Sequence, residues 1–247
     1  MWMDIVDVQR FYASGLGQAA KRSIRRHIRT IWPDVRNLRL LSLGYAEPYL
    51  DLFTDEADCL LSAMPAGQGT FRINGGSEDG KSPGAVFLTN EASLPLPDRS
   101  IDRLLLVHCL ESSSQVCPMM RELWRVLADG GRLLIIVPNR HSLWAQVERT
   151  PFAHGSPYSL GQLRRLLNET LYSLEHSRSA LFLPPLGQGG LQRTFGMFDD
   201  AGTRWLPHLG GVLLADTVKQ IYAATPLTAR RRRGAYLPIP HNRTTGR

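Results

Sequence analysis

The chain is poor in cysteine and has no long apolar run. Cys59, Cys109 and Cys117 are its three cysteines, and their spacing offers no paired metal ligands. This pattern argues against a disulfide framework and against a structural zinc site, so we expect reduced thiols and no metal. No apolar run approaches the roughly 20 residues that span a bilayer. We therefore expect no transmembrane segment.

The first residues lack the basic start and apolar stretch of a signal peptide, because Asp4 and Asp7 stand there. The arginine-rich segment that follows is compatible with a mitochondrial presequence. However, Ile24, Ile28 and Ile31 form a narrow apolar stripe that suits a helix packed on a domain equally well. We expect a cytoplasmic protein.

The net charge of +7 is concentrated in two places. Arginine is abundant and acid is absent at the end of the chain, and a second basic cluster lies on the first predicted helix. The residues are Arg230, Arg231, Arg232, Arg233, Arg243 and Arg247 at the end, and Lys21, Arg22, Arg25, Arg26 and Arg29 on the helix. RNA or an anionic membrane surface can bind such clusters, but we favour the simpler interpretation of a solvated helix face and a disordered solubilising tail.

Apolar runs alternate with amphipathic segments along most of the chain. This alternation predicts an α/β sandwich with a mostly parallel sheet. Strands are predicted at 38–43, 57–63, 86–89, 101–107, 133–137, 173–183 and from 211. Helices are predicted at 8–32, 49–53, 115–127 and 159–171, and a glycine-rich loop at 67–84. The predicted organisation is a helical segment (1–36) packed on an α/β domain (37–225), followed by a disordered basic tail (226–247).

The most specific phrase is LPLPDRSID, followed by a strand, a crossover helix and GGRLLIIVPN, within residues 94–139. It resembles the second half of class I S-adenosylmethionine-dependent methyltransferases of the type 11 kind. The resemblance implies a Rossmann-like doubly wound, mostly parallel seven-stranded sheet with helices on both faces. It also implies S-adenosylmethionine as the cofactor and methyl transfer as the activity.

The first cofactor motif of that family departs from its usual form here. In the family, the first strand ends in an acid that binds the amino acid end of the cofactor, followed by glycines at alternate positions. Gly44 takes the first glycine place, whereas Ser42 stands for the acid and Ala46 and Pro48 for later glycines. The resemblance implies that Ser42, Gly44, Tyr45 and Ala46 contact the cofactor.

The second family motif is an acid that accepts both ribose hydroxyls, and residues 61–65 contain none. Ser62 can make only one such bond. Asn90 takes the place of the acid that reads the adenine edge, with the backbone of Glu91 beside it. His108 follows the fourth strand and completes the predicted cofactor contacts.

Two further sets are candidates for chemistry. His108 can act as a base and Glu111 can orient it or act as a second base, although a histidine at a strand end is often structural. Trp144, His154 and Tyr158 lie where the family builds an acceptor pocket, and simple packing explains the aromatic residues equally well.

Three functions remain open from the sequence. One is a methyltransferase with an unidentified acceptor, which needs no fixed catalytic triad because alignment of the reactants suffices. Another is a methyltransferase-fold binding or regulatory protein that has lost the cofactor. The third is an RNA-associated methyltransferase that uses the basic helix and tail.

Overall fold

The computed structural model describes residues 2–69, 85–185, 202 and 209–220. The helices are α1 (Ile5–Ala13), α2 (Gly15–Ile31), α3 (Glu47–Leu50), α4 (Val116–Val126) and α5 (Leu160–Glu169). The strands are β1 (Arg39–Gly44), β2 (Cys59–Pro65), β3 (Ala85–Thr89), β4 (Ile101–Val107), β5 (Leu127–Pro138), β6 (Tyr172–Ala180) and β7 (Val212–Lys219). Short 3₁₀ turns follow β5 at Leu143–Ala145 and Pro151–Ala153.

The seven strands form one sheet in the order β3-β2-β1-β4-β5-β7-β6. The first five strands along the sheet are parallel, and β7 pairs antiparallel with both β5 and β6. Strand order reverses beside β1, where the chain leaves β1–β2–β3 and returns to β4 on the other side. The predicted fold class is therefore confirmed.

Alternate residues of the central strands face opposite layers of helices, as the two-residue period of a strand requires. Leu40, Leu105 and Leu134 belong to one core cluster, which contains the buried faces of α1, α2 and α3. Their chain neighbours Leu41 and Leu104 belong to a second cluster with α4 and α5. Helices thus cover both faces of the sheet.

The predicted single helix at 8–32 was wrong, because the chain breaks at Ser14. The Ser14 hydroxyl donates to the carbonyl of Phe11 at 2.6 Å and accepts from the amide of Gly17 at 3.1 Å, so it ends α1 and caps α2. A Cβ on Gly17 would lie 2.0 Å from the Phe11 carbonyl oxygen. The break lets α1 fold back over the sheet.

The fifth strand was predicted too short. The Asp129-Gly130-Gly131 stretch, which precedes the predicted strand at 133–137, lies within β5, where Gly130 has a φ of +76° and the pairing with β4 shifts register. A positive φ is easily adopted by glycine, so the ladder tolerates the irregularity. The remaining predicted elements agree in type and lie within a few residues of their predicted bounds.

The proposed division into three segments stays a prediction. The tail at 226–247, with the run at 230–233, and residues 70–84 of the glycine-rich loop lie outside the described residues. In the described part of the chain, no helix is long and apolar enough to cross a membrane.

Replacing Gly17 by alanine tests the close approach of α1 and α2. We expect Gly17→Ala to lower the free energy of unfolding by about 1–3 kcal/mol, because the added methyl group has no room. Gly161→Ala is the matched control, since its Cβ would meet only the Ser159 hydroxyl at 4.0 Å. That variant should gain about 0.4–1 kcal/mol. Urea unfolding measures both, and equal effects would contradict the packing argument.

Candidate cofactor and acceptor site

The carboxyl ends of β1, β2, β3 and β4 meet at the point where strand order reverses, which is where ligands bind in open α/β sheets. Gly44 ends β1 there with a φ of +85°. A Cβ at this position would lie 2.2 Å from the carbonyl oxygen of Val107 at the end of β4. The fold alone therefore requires glycine at position 44, whether or not a cofactor is bound.

The turn after Gly44 is buried. Tyr45 and Ala46 are 2% and 0% exposed, and the Tyr45 hydroxyl donates to the Glu47 carboxylate at 3.2 Å. Pro48 sits in the first turn of α3, where its missing N–H is not needed. The replacement of the family's third glycine by proline thus starts a helix without strain.

Ser42 and Ser62 pair with each other in the interior of the sheet. They are register partners in β1 and β2, and the Ser42 hydroxyl donates to that of Ser62 at 3.0 Å. Both side chains are essentially unexposed. Because β2 continues to Pro65, Ser62 lies three residues before the end of the strand. Its contact with the cofactor ribose stays a prediction, and its location inside the sheet does not support it.

His108 and Glu111 are brought together just after β4. The Nδ1 atom of His108 lies 3.4 Å from the Oε1 atom of Glu111, and both side chains are almost fully buried. His108 has a φ of +49°, a conformation that non-glycine residues adopt only where their surroundings hold them. The predicted catalytic pair is therefore in contact, and its catalytic role stays a prediction.

Helix α1 delivers a third group to this pair. The Tyr12 hydroxyl lies 2.8 Å from Nε2 of His108 and 2.8 Å from the hydroxyl of Tyr49. With Nδ1–H directed at Glu111, Nε2 accepts from Tyr12, and Tyr12 accepts from Tyr49; we assign the protons on this ground. Burial raises the pKa of both tyrosines, so they stay neutral. The result is a directed series of buried polar contacts, in which two hydrogen bonds at Tyr12 are followed by the 3.4 Å contact of His108 with Glu111.

Gln68 reaches the same histidine from the end of β2. Its Nε2 atom donates to the carbonyl oxygen of His108 at 3.3 Å, and its side chain is buried. The N-terminal segment covers this turn, because a Cβ on Gly67 would lie 2.6 Å from the ring of Trp2. Gln68 and Tyr12 thus bridge the strand ends from two sides.

The three residues predicted to contact the acceptor differ in their burial and in their distance from His108 and Glu111. Trp144 is 1% exposed, donates to the carbonyl of Leu183 at 2.8 Å and packs edge-on against Phe152, which in turn lies 5.2 Å from the His108 ring. Tyr158 is close enough to Glu111 that burial and this carboxylate raise its pKa. His154 contacts the carbonyl of Glu148 on the surface.

The loop after β5 packs closely against the backbone of Glu111. The amide of Ser156 donates to the Glu111 carbonyl at 2.7 Å, and a Cβ on Gly155 would lie 2.4 Å from that oxygen. Tyr158 is therefore held near Glu111, whereas Trp144 contacts Phe152, which lies against the His108 ring. Within the part of the chain that the structure describes, His154 is not brought into contact with His108 or Glu111.

The adenine-side candidates lie at the end of β3. The exposed Asn90 accepts from the amide of Ala92 at 2.9 Å through its side-chain oxygen, which keeps a second lone pair. Glu91 is 8% exposed and accepts from the Ser113 hydroxyl at 3.2 Å. These positions are compatible with reading a nucleobase edge, and their role stays a prediction.

The basic cluster on α2 is partly neutralised. Arg25 pairs with Asp51, and Arg29 pairs with both oxygens of Glu56. A shallow concavity of about 420 Å³ lies over Arg25, Arg26 and Arg29. Lys21 and Arg22 complete the cluster at the surface.

Sequence reasoning missed Tyr12 and Gln68. Tyr12 falls outside the isoleucine stripe and inside what was predicted as one long helix. Gln68 lies in a stretch that was interpreted only as a glycine-rich loop. The Phe11-Tyr12 pair is the one local signal, because two large aromatic residues beside the stripe indicate a second buried contact.

A family model described as a methyltransferase domain matches residues 75–135. A curated relative, the demethylmenaquinone methyltransferase of Listeria welshimeri, is 28% identical over 127 residues, which cover 49% of this chain and 50% of that protein. The chain thus spans about half the length of the curated relative that it matches.

Two solved structures show the fold. One is a Thermotoga maritima S-adenosylmethionine-dependent methyltransferase described as a possible histamine N-methyltransferase, with a TM-score of 0.57 and 17% identity over 86% of this chain and 94% of that one. The other comes from the complex of the Haloferax volcanii Trm112 methyltransferase activator with a putative methyltransferase. Its TM-score is 0.59, with 15% identity over 89% of this chain and 100% of that one.

Together, these matches confirm the resemblance to class I methyltransferases. S-adenosylmethionine is the cofactor that this resemblance implies.

The residues present fit this cofactor at one end. Among the described residues, Oε2 of Glu111 and Oε1 of Gln68 are buried acceptors without a hydrogen-bond partner, and both side chains contact His108. At the ribose end the fit is poorer, because residues 61–69 contain no carboxylate.

The hydrogen-bond chain can be tested through Tyr12. We expect Tyr12→Phe to lower the free energy of unfolding by about 1–3 kcal/mol, because it leaves both His108 and Tyr49 without a buried partner. Tyr172→Phe is the control, since that hydroxyl makes one bond, to the Met120 carbonyl at 3.2 Å. Urea unfolding should show the larger loss for Tyr12→Phe, and a smaller loss would contradict the assigned network.

Proposed function

We propose that this chain is an S-adenosylmethionine-dependent methyltransferase whose acceptor approaches His108 and Glu111 from the side of Tyr158. The observation that carries the proposal is the buried His108–Glu111 pair at the point of strand reversal, in a fold and a matched segment typical of methyltransferases. Gly44, Tyr45, Asn90 and Glu91 surround the same strand ends.

The cofactor supplies the electrophilic methyl group when it is bound. The work of the chain is then to align the acceptor, exclude water and remove a proton where the acceptor carries one. Glu111 holds Nδ1 of His108, which keeps Nε2 as the atom that can take a proton. Phe152 and Trp144 pack behind the imidazole and keep water away.

The contact of Tyr12 with Nε2 sets a condition on catalysis. An acceptor can reach that atom only if the Tyr12 hydroxyl moves away, because both would occupy the same lone pair. Helix α1 carries Tyr12, and the capped break at Ser14 is the natural point of movement. Displacement of α1 is therefore part of the proposed function.

The alternative is a binding or regulatory module that has lost the cofactor. The paired Ser42 and Ser62, and the absence of an acid after β2, favour it. The unpartnered acceptors on Glu111 and Gln68 favour the enzyme, because a buried polar atom without a partner costs stability unless a ligand satisfies it.

The acceptor and any protein or RNA partner stay open. The name of the Listeria relative makes demethylmenaquinone a reasonable first acceptor to assay, and the Haloferax complex makes an activator subunit a reasonable first partner. Binding of RNA or an anionic membrane by α2 has less support, because Arg25 and Arg29 already pair with acids.

Ligand binding tests the proposal directly. S-adenosylhomocysteine at one hundred times its dissociation constant should stabilise the protein by about 2.7 kcal/mol. For a chain of this size that corresponds to a rise in melting midpoint of roughly 5–11 °C. Asn90→Ala should weaken calorimetric binding by about 3- to 10-fold, the value of one hydrogen bond.

Asn168→Ala is the matched control, because Asn168 is exposed on α5, away from the strand ends. It should leave binding unchanged. Absence of both heat and midpoint shift with millimolar S-adenosylmethionine or S-adenosylhomocysteine would reject the enzyme and leave the non-catalytic module.

A further inference from the structure

The carboxylates near the strand ends differ in whether their oxygens already have partners. Glu47 accepts from Tyr45, and Glu91 accepts from Ser113. Glu111 places Oε1 at 3.4 Å from His108, while its Oε2 atom has no partner among the described residues. Of these three carboxylates, Glu111 is therefore the one with a buried oxygen that can still accept a hydrogen bond from a ligand.

Gln68 adds a second acceptor of the same kind. Its amide orientation follows from its neighbour, because the opposite orientation would direct Oε1 at the carbonyl oxygen of His108. With Nε2 on that carbonyl, Oε1 is left buried and without a partner in the part of the chain that the structure describes. Both unpartnered atoms are acceptors, so the ligand that satisfies them must be a hydrogen-bond donor.

The charge and the rings of the site favour a cationic donor. A buried carboxylate binds an ammonium group more strongly than a neutral N–H, because the bond is charge-assisted. The rings of Tyr12 and Phe152 lie against His108, and aromatic rings attract cations. Ser42 is neutral and bonded to Ser62, so the carboxyl end of β1 offers no carboxylate to the amino acid end of the cofactor.

We propose that Glu111 and Gln68 form a subsite for an ammonium group, and that this subsite replaces the acid that β1 lacks. The methionine ammonium of the cofactor is the occupant that the position favours, because Glu111 and Gln68 follow β4 and β2, the two strands that flank β1. An amine on the acceptor would satisfy the same two oxygens. The inference rests on the proposed function, since it concerns the same site.

The test compares S-adenosylhomocysteine with 5′-methylthioadenosine, which has the same nucleoside and sulfur but no amino acid. Calorimetry gives both dissociation constants for the wild type, Glu111→Gln and Glu47→Gln. We expect Glu111→Gln to weaken S-adenosylhomocysteine by about 10- to 100-fold, the value of a charge-assisted bond, and to leave methylthioadenosine unchanged. Glu47→Gln, which alters an exposed carboxylate on the same side, should leave the ratio of the two constants unchanged.

A second arm identifies an acceptor amine. Phenethylamine and phenethyl alcohol are added to protein saturated with S-adenosylhomocysteine, and the melting midpoint is measured. If Glu111→Gln leaves S-adenosylhomocysteine binding intact but abolishes a shift caused by the amine alone, the subsite stands with the acceptor as its occupant. If neither ligand depends on Glu111, the proposal is overturned.

The outcomes separate this inference from the proposed function. Wild-type protein that binds neither nucleoside rejects the methyltransferase itself, and the subsite with it. If the wild type and Glu111→Gln bind both nucleosides equally well, and the substitution also leaves the amine response unchanged, the enzyme stands and the subsite is rejected. Should Glu111→Gln unfold, Gln68→Met replaces it, with the expected smaller and selective loss of S-adenosylhomocysteine binding.

Discussion

The hydrogen bond from Tyr12 to His108 ties the first helix to the carboxyl end of the sheet. It joins residues that are 96 positions apart, and it fixes the imidazole tautomer through which Glu111 is oriented. Because Tyr12 is buried and also bonded to Tyr49, α1 closes over the strand ends as a unit. The site is thus assembled by the N-terminal segment as much as by the sheet itself.

This closure explains how a site with a damaged cofactor motif remains polar. In the family pattern the charge comes from the end of β1, but Ser42 is neutral and its hydroxyl is used within the sheet. The polar groups come instead from the turns after β2 and β4, where Gln68, His108 and Glu111 converge. Gly44 is required by the packing of the sheet and not only by cofactor binding, because the carbonyl of Val107 lies too close to leave room for a side chain.

The features that depend on a local sequence pattern were predicted well from the sequence. The strand at 101–107 has the predicted bounds, because its apolar run is bounded by a proline-aspartate turn and a polar break. The His108–Glu111 pair follows from a three-residue spacing after a strand end. Tyr12 and Gln68 could not be predicted, because their roles depend on contacts across 96 and 40 positions, for which no spacing rule exists. The break at Ser14 was missed because serine is tolerated inside helices as well as at their caps.

The burial of Glu111 bears on whether the chain is an enzyme. A carboxylate oxygen that is buried without a partner costs about 1–3 kcal/mol or more, and an apolar residue of similar shape would avoid that cost. A module that only binds partners through its surface has no physical use for such an oxygen at the strand ends. A ligand that carries a positive charge into this position offsets the cost, and S-adenosylmethionine is such a ligand. The same reasoning makes Glu111, rather than the altered glycine motif, the residue on which the assignment of cofactor binding depends.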